Sequence, residues 1–360
     1  MTQLTAVKQS ELLQKPIPRI KKIFIAGVGA VGSSLLKQIS RAGLHQSLRV
    51  IGVCNSKHVE WYEKQPVDFS LRDLQKCEDK NWTSILEKLV SFEPGSVVFV
   101  DATGNNEPAD LYLDFMNAGI HVVTPSKLAN TKEQNYFDAL HQTARENDVE
   151  FLYETNVGAG LPIIQTIKNL IHSGDEIIEI SGILSGTMTY LFSELDKGEQ
   201  FSKTVIKART LGYAEPDPRD DLSGEDVARK FMILARVCGI ALERSELNVE
   251  SMIPAPLQKV DATTFLEKLS GFDDEWKEKF EAENKRSHTL RYVGTLKEGK
   301  IDVGIKSLPK SSSLGQLKGT NNIIEIKTKR YFDQPLIIQG PGAGKEVTAA
   351  GVLGDILKIN

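Results

Sequence analysis

Residues 21–40 read KKIFIAGVGAVGSSLLKQIS, and this stretch decides the fold. An apolar, strand-like run ends at Gly27, Gly29 and Gly32, the three glycines of GVGAVG, and a helical pattern follows with Val31, Leu35, Leu36 and Ile39 on one face. Strand, G-x-G-x-x-G turn and helix in immediate succession form a dinucleotide fingerprint. The first glycine makes the tight turn, the second admits a pyrophosphate to the backbone, and the third lets helix and strand pack. Ala30 and Val31 open the helix, whose free amides and dipole favour an anion. A glycine-rich turn without a ligand is the plainer alternative, and the flanking strand and helix argue against it.

Outward from this unit the pattern repeats. LRVIGV, SVVFVDATG, IHVVTP and EFLYE are further strand-like runs, separated by helical patterns such as ADLYLDFMNAG. This alternation predicts a Rossmann-type, doubly wound parallel sheet with helices on both faces. Where an NAD-binding domain places an acid on the ribose, the chain has Asn55, Ser56 and Lys57 instead. Ser56 can donate a hydrogen bond and Lys57 is cationic, which favours a 2′-phosphate and hence NADP, with NAD as the alternative cofactor of a dual-specificity loop. Thr103 and Asn105 in DATGN and Lys127 in TPSK follow two further strands, at the edge where open α/β sheets bind ligands.

Beyond residue 154 a second, mixed α+β region follows. LPIIQTIKNLIHSG, TMTYLFSEL, SKTVIKARTLG and GEDVARKFMILARVCG carry helical spacing, while EIIEISGIL, the two halves of HTLRYVGTLKEGKIDVGIKSL, NNIIEIKTKRYF and PLIIQG read as strands, largely antiparallel. The expected division is a tail or linker at 1–19, a dinucleotide-binding domain at 20–153, a substrate-binding and dimerisation domain at 154–335, and a glycine-rich loop with a terminal helix at 336–360 that returns to the first domain. The segment GYAEPDPRDD packs Glu215, Asp217, Asp220 and Asp221 around Arg219, which suits an ammonium group, a metal or merely a charged loop. In the helix that follows, Ser223–Asp226 matches a capping box, and Asp226 lies four residues from Lys230, close enough for a simple solvent pair.

Composition narrows the function classes. The chain has 360 residues, 40% apolar and 26% charged, with 44 Lys+Arg against 48 Asp+Glu for a net charge of −4, so neither disorder nor a nucleic-acid partner is expected. Three cysteines without C-x-x-C spacing fit a reducing compartment, and no apolar run is long enough for a membrane span or secretory signal, which predicts a cytoplasmic protein.

The ordered set GVGAVG, TPSKLAN, YETNVGAGLP, SGILSGTMTY, GYAEPDPRDDLSGEDVARK and GAGKEVTAAGVLGDIL resembles the homoserine dehydrogenases, most closely the dehydrogenase half of the bifunctional aspartokinase/homoserine dehydrogenases. The resemblance implies reversible NAD(P)-dependent oxidation of L-homoserine to L-aspartate 4-semialdehyde, on the path to threonine, methionine and isoleucine, by a homodimer joined through the second domain's sheet. It also implies Lys127 and Lys230 as catalytic lysines, and Glu215, Asp220 and Asp226 as substrate-binding carboxylates. Thr103 and Asn105 would border the nicotinamide, and the loop from Gly340 to Gly344 would close over the cofactor. Glu154 with the carbonyls of Val157, Ala159 and Leu161 would form a monovalent-cation site, sodium being the expected ion, since hard oxygen donors suit it. No aspartokinase region precedes Lys21 and no regulatory domain follows the terminal helix, so threonine feedback is not expected, whether this is a short form or a piece of a longer protein. Two rivals remain. A non-catalytic NADP-binding sensor would lack the lysine and acidic motifs, and an aspartate-semialdehyde dehydrogenase would need a cysteine nucleophile at the crevice.

Overall fold

The computed structural model describes residues 20–41, 47–64, 69 and 71–359; the tail expected at 1–19 lies outside them. Strand β1 (Lys21–Ala26) leads through the glycine turn into helix α1 (Ala30–Arg41), and β2 (Leu48–Cys54) runs parallel to β1. Then come β3 (His58–Trp61), β4 (Glu78–Asp79), α2 (Trp82–Val90), β5 (Val97–Asp101), α3 (Asn106–Asp110), α4 (Tyr112–Asn117), β6 (His121–Val123), α5 (Gln134–Glu146) and β7 (Phe151–Leu152). The sheet order is β4-β3-β2-β1-β5-β6-β7. All neighbours from β2 to β7 are parallel, whereas β3 and β4 add an antiparallel edge that sequence periodicity does not signal in runs so short.

Alternation along β1 sends Ile23 and Ile25 to one face and Phe24 and Ala26 to the other. The second face packs Phe99, Phe115 and the helices α2, α4 and α5. The first face packs Leu35, Leu36 and Ile39 of α1 together with Ala349, Val352 and Ile356 of the last helix, far away in sequence. Because β2 and β5 flank β1 on opposite sides, their connections diverge at its carboxyl end and leave a crevice there.

The second layer begins with α6 (Ile163–His172), β8 (Ile177–Ile183), α7 (Gly186–Leu195), α8 (Phe201–Thr210), α9 (Arg219–Leu222) and α10 (Glu225–Val237). It continues with β9 (Asn248–Val249), α11 (Ala262–Lys268), α12 (Asp273–Lys285), β10 (His288–Lys297), β11 (Lys300–Pro309), β12 (Asn321–Thr328) and β13 (Leu336–Pro341), after which α13 (Lys345–Lys358) returns to the first sheet. Its sheet runs β13-β12-β8-β10-β11-β9, antiparallel except for β11 with β9. The β10–β11 hairpin turns at Glu298 and Gly299, both at positive φ (50° and 73°), as a twist-matched two-residue turn requires. Helix α10 lies against β10 at Gly294, where a β-carbon would stand 2.1 Å from the Phe231 ring. Gly340 and Pro341 are part of β13, so the terminal glycine loop is shorter than the sequence suggests and spans residues 342–344. Among the described residues no helix is long and apolar enough to cross a membrane.

Candidate functional site

The crevice at the end of β1 holds two cavities that share Ala102, Thr103 and Gly104. The first, about 500 Å³, is bounded by the glycine turn, Asn55, Ser56 and Lys80. The second, about 380 Å³, runs from Val31 and Thr103 to Lys127, Lys230 and the loop at Gly342–Gly344.

The glycine turn has the shape a pyrophosphate needs. At Gly27 (φ +91°) a side chain would lie 2.7 Å from the Ala102 carbonyl, and at Gly32 it would lie 1.9 Å from the Gly27 carbonyl, so both positions are closed to anything larger. Gly29 has nothing within 4 Å of its β-carbon position. That open position, beside the start of α1, is where a phosphate fits, and Ala30 and Val31 supply the first turn of the helix.

The adenosine end differs in detail from the sequence reading. Asn55 lines the cavity, but its side-chain oxygen accepts hydrogen bonds from the Lys57 and His58 amides at 2.7 Å each, so it shapes its own turn. Lys57 is exposed and outside the cavity wall; the cation in the wall is Lys80, whose ammonium pairs with Glu107 at 2.7 Å and lies 4.7 Å from the Trp82 ring centre. Sequence reasoning missed Lys80 because only the antiparallel edge strands bring it back, through its amide bond to the Lys57 carbonyl at 2.6 Å. Cys54 also lines this end, with burial pushing its thiol up to about 12. Burial thus works against the thiolate that an acyl-enzyme route would need at this position.

At the end of β5, buried Asp101 accepts bonds from the Thr103 amide (2.8 Å), the Thr103 hydroxyl (2.6 Å) and the Tyr112 hydroxyl (2.5 Å). Burial raises its pKa against those bonds. Thr103 is thereby fixed between the two cavities. Asn105 borders only the first cavity, where its side chain caps α3 at the Glu107 amide, so it does not reach the end that Lys127 and Lys230 occupy.

At the far end, Lys127 from the first layer and Lys230 from α10 meet on one carboxylate. Lys127 Nζ is 3.2 Å from Asp226 Oδ1, and Lys230 Nζ is 2.7 Å from Asp226 Oδ2 while donating to the Leu184 carbonyl at 2.6 Å. Burial raises the Asp226 pKa, but the two ammonium groups outweigh it and hold the acid well below its usual range. No capping box forms here. Helix α10 is capped by Gly224 at φ +77° without a side-chain bond, Ser223 turns its hydroxyl to the Asp220 carbonyl, and Glu225 pairs with Arg244. Lys230 on the same helix and Lys127, which the sequence does not place nearby, claim Asp226 instead.

Of the acidic loop, Glu215 and Asp220 are exposed and border neither cavity. Asp217 is engaged by Arg219, which also binds the Val260 carbonyl. The residue that shapes the loop is Asp221, accepting from Thr187 Oγ1 at 2.9 Å and the Glu215 amide at 2.8 Å. In the sequence it is only one charge among four, since its partner on α7 is distant.

Glu154 caps α6: its two carboxylate oxygens accept the Ile164 and Gln165 amides at 2.7 and 2.8 Å, and burial raises its pKa. The loop beyond turns at Gly158 and Ala159, with φ of 76° and 52°, and the Leu161 carbonyl accepts the Ile163 amide at 2.9 Å. Carboxylate and carbonyl oxygens each keep a second lone pair, so the donors fit a hard monovalent cation in kind. Among the described residues no group of three or more His, Cys, Asp or Glu side chains is placed to hold a metal. Gly340 borders neither cavity; the second is closed by Gly342, Ala343 and Gly344.

A glycine-cradled nucleotide cleft that ends on two lysines sharing one carboxylate defines a two-domain, dinucleotide-dependent oxidoreductase. Comparison with known proteins gives the family. Residues 27–154 match the model for the NAD-binding domain of homoserine dehydrogenase, and residues 162–357 match the model for homoserine dehydrogenase itself. A homoserine dehydrogenase of Paracoccidioides brasiliensis is 37% identical, with 93% of this chain and 96% of that protein covered. A bifunctional aspartokinase/homoserine dehydrogenase of Haemophilus influenzae is 39% identical over 94% of this chain, which spans only 43% of that relative's length. A hyperthermophilic archaeal homoserine dehydrogenase solved in complex with NADPH superposes with a TM-score of 0.72 at 27% identity, covering 94% of this chain and 97% of that one. The chain belongs to the homoserine dehydrogenase family.

Proposed function

We propose that this chain oxidises L-homoserine reversibly to L-aspartate 4-semialdehyde with NADP as the preferred cofactor. The observation that carries the reading is the Lys127–Asp226–Lys230 bridge in the crevice that the glycine turn opens. When bound, the nicotinamide accepts or returns a hydride at the substrate carbon. The residues of the chain handle the proton: a lysine in its neutral form takes the hydroxyl proton as the alcohol is oxidised, and its ammonium form returns one to the aldehyde oxygen. Asp226 keeps Lys127 and Lys230 together, and the carboxylates of Asp226 and Glu215 attract the substrate ammonium. Exposed Glu215 reaches that role only by a movement of the loop that Asp221 tethers. Lys80 and Ser56, lining the first cavity, support the preference for a 2′-phosphate.

The same reading includes a monovalent cation at Glu154, Val157, Ala159 and Leu161, a homodimer, a cytoplasmic location and a place in threonine, methionine and isoleucine synthesis. Exposed Tyr331, Phe332 and Ile337 beside the β12–β13 edge support the dimer, and the free thiols of Cys54 and Cys238 support a reducing compartment. The test is the near-ultraviolet absorbance of reduced nicotinamide with homoserine and NADP(+), in sodium and in potassium buffers. Cofactor binding without turnover of homoserine or of the semialdehyde overturns the reading in favour of a sensor.

A further inference from the structure

A third cavity, of about 500 Å³, opens between α5, α6 and α10 and shares no wall residue with the nucleotide cleft. Five wall residues carry basic nitrogens: His141 and Arg145 from α5, Lys168 and His172 from α6, and Arg236 from α10. The one acid in the wall, Asp138, already accepts a bond from Gln134 Nε2 at 2.8 Å.

One of these cations, Lys168, has no anion among the described residues in contact with it, and another, Arg236, keeps one donor without an acceptor. Among the described residues the Lys168 ammonium has no hydrogen bond or ion pair; it lies 4.8 Å from the Tyr153 ring centre, and burial lowers its pKa. The carboxylates that act on it, Glu154, Asp355 and Glu150, do not close on it. Both oxygens of Glu154 cap α6, and Asp355 binds the Glu154 amide and Lys358. Arg236 is buried, with its terminal nitrogens on the Asn130, Lys132 and Leu242 carbonyls and an ion pair to Glu243 at 3.6 Å, while its Nε–H has no acceptor. Tyr153, bonded to His141 at 3.1 Å, and Phe137, beneath the Arg236 guanidinium at 5.4 Å, give the wall two aromatic faces.

We propose that this cavity is a binding site for a small ligand bearing two or more anionic oxygens, a phosphate ester or a dicarboxylate, held by Lys168 and Arg145. The volume is that of a metabolite pocket, and the excess of cations leaves the charge to be supplied from outside. Planar guanidinium and compact ammonium donors side by side suit carboxylate and phosphate alike.

The experiment is calorimetric titration of the full chain, with NADP(+) in excess to fill the cleft, by inorganic phosphate in one arm and malate in the other. Saturable binding of either anion is expected; the arm that saturates identifies the ligand class. Lys168→Met and Arg145→Gln should each weaken it by about ten- to hundredfold, the scale of one charge-assisted hydrogen bond. Lys168→Met should melt no lower than the unaltered chain, because it removes an unpaired ammonium while keeping the side-chain volume. If that variant does not fold, Arg145→Gln at the exposed rim decides alone. No saturable binding in either arm, or binding unchanged in the folded variants, overturns the site.

Discussion

Lys127 and Lys230, from different layers of the molecule, are joined through the two oxygens of a single carboxylate, at 3.2 and 2.7 Å from Asp226. A bridge of this kind makes the pair one unit, and the loss of either lysine leaves the other held against Asp226 alone.

The lysine variants should therefore behave non-additively. Lys127→Ala and Lys230→Ala should each lower kcat by about 10²–10⁴-fold, the scale of general acid–base groups, and the double variant should be little worse than the poorer single one. Cofactor affinity, measured by fluorescence titration, should stay within a few-fold. Singles that keep more than a tenth of kcat would remove these residues from the proton path.

Cofactor choice should follow Lys80 rather than Lys57. Lys80→Ala should reduce the ratio of kcat/KM for NADP(+) over NAD(+) by roughly one order of magnitude or more, as loss of a charge-assisted phosphate contact implies. Lys57→Ala, exposed and outside the cavity, should leave the ratio nearly unchanged. The reverse ranking would restore the reading taken from the sequence.

The packing of α10 rests on Gly294. In Gly294→Ala the new methyl enters the space of the Phe231 ring, 2.1 Å away, and should cost about 1–3 kcal/mol by overpacking. Chemical denaturation measures this loss, and Phe231→Leu in the same chain should recover part of it. A Gly294→Ala chain as stable as the parent would show that the helix can shift without penalty.

Acid should act on stability through His141. Burial first, then Lys168 and Arg145, lowers its pKa from 6.5 to about 4. Between those values the unfolded chain binds a proton that the folded chain does not, so this contribution to stability falls as pH drops from 6.5 to about 4 and then levels off. Denaturation in buffers without polyanions should show His141→Gln to be less acid-sensitive in that window. Equal slopes would place the His141 titration elsewhere.

Much of the first sheet is legible in the sequence because its signals are local: an apolar run, a glycine turn whose spacing is fixed by sterics, and a helix of matching period. The edge strands β3 and β4 are not, since two to four residues carry no period. Long-range choices are the harder loss. Ser223–Asp226 looks like a cap because spacing alone cannot reveal a lysine arriving from the other layer. Lys57 looks like the cation at the cofactor because the sequence hides the approach of Lys80, which lines the cavity beside Asn55. Gly340 looks like loop because its pairing partner, Asn322 on β12, cannot be read from the glycine-rich run itself.

Helix α13 fills the same apolar face as α1, with Val352 and Ile356 against Ile23 and Ile25, and the Glu346 carbonyl accepts Gln38 Nε2 at 2.8 Å. During synthesis, then, the first sheet leaves the ribosome long before the helix that covers it. Until residues 345–358 emerge, Ile23, Ile25, Val98 and Val100 have an incomplete roof, and the whole second layer must be made in the meantime. The nascent nucleotide-binding half is therefore exposed to chaperone capture or aggregation over most of translation, and its assembly is timed by the last helix rather than the first.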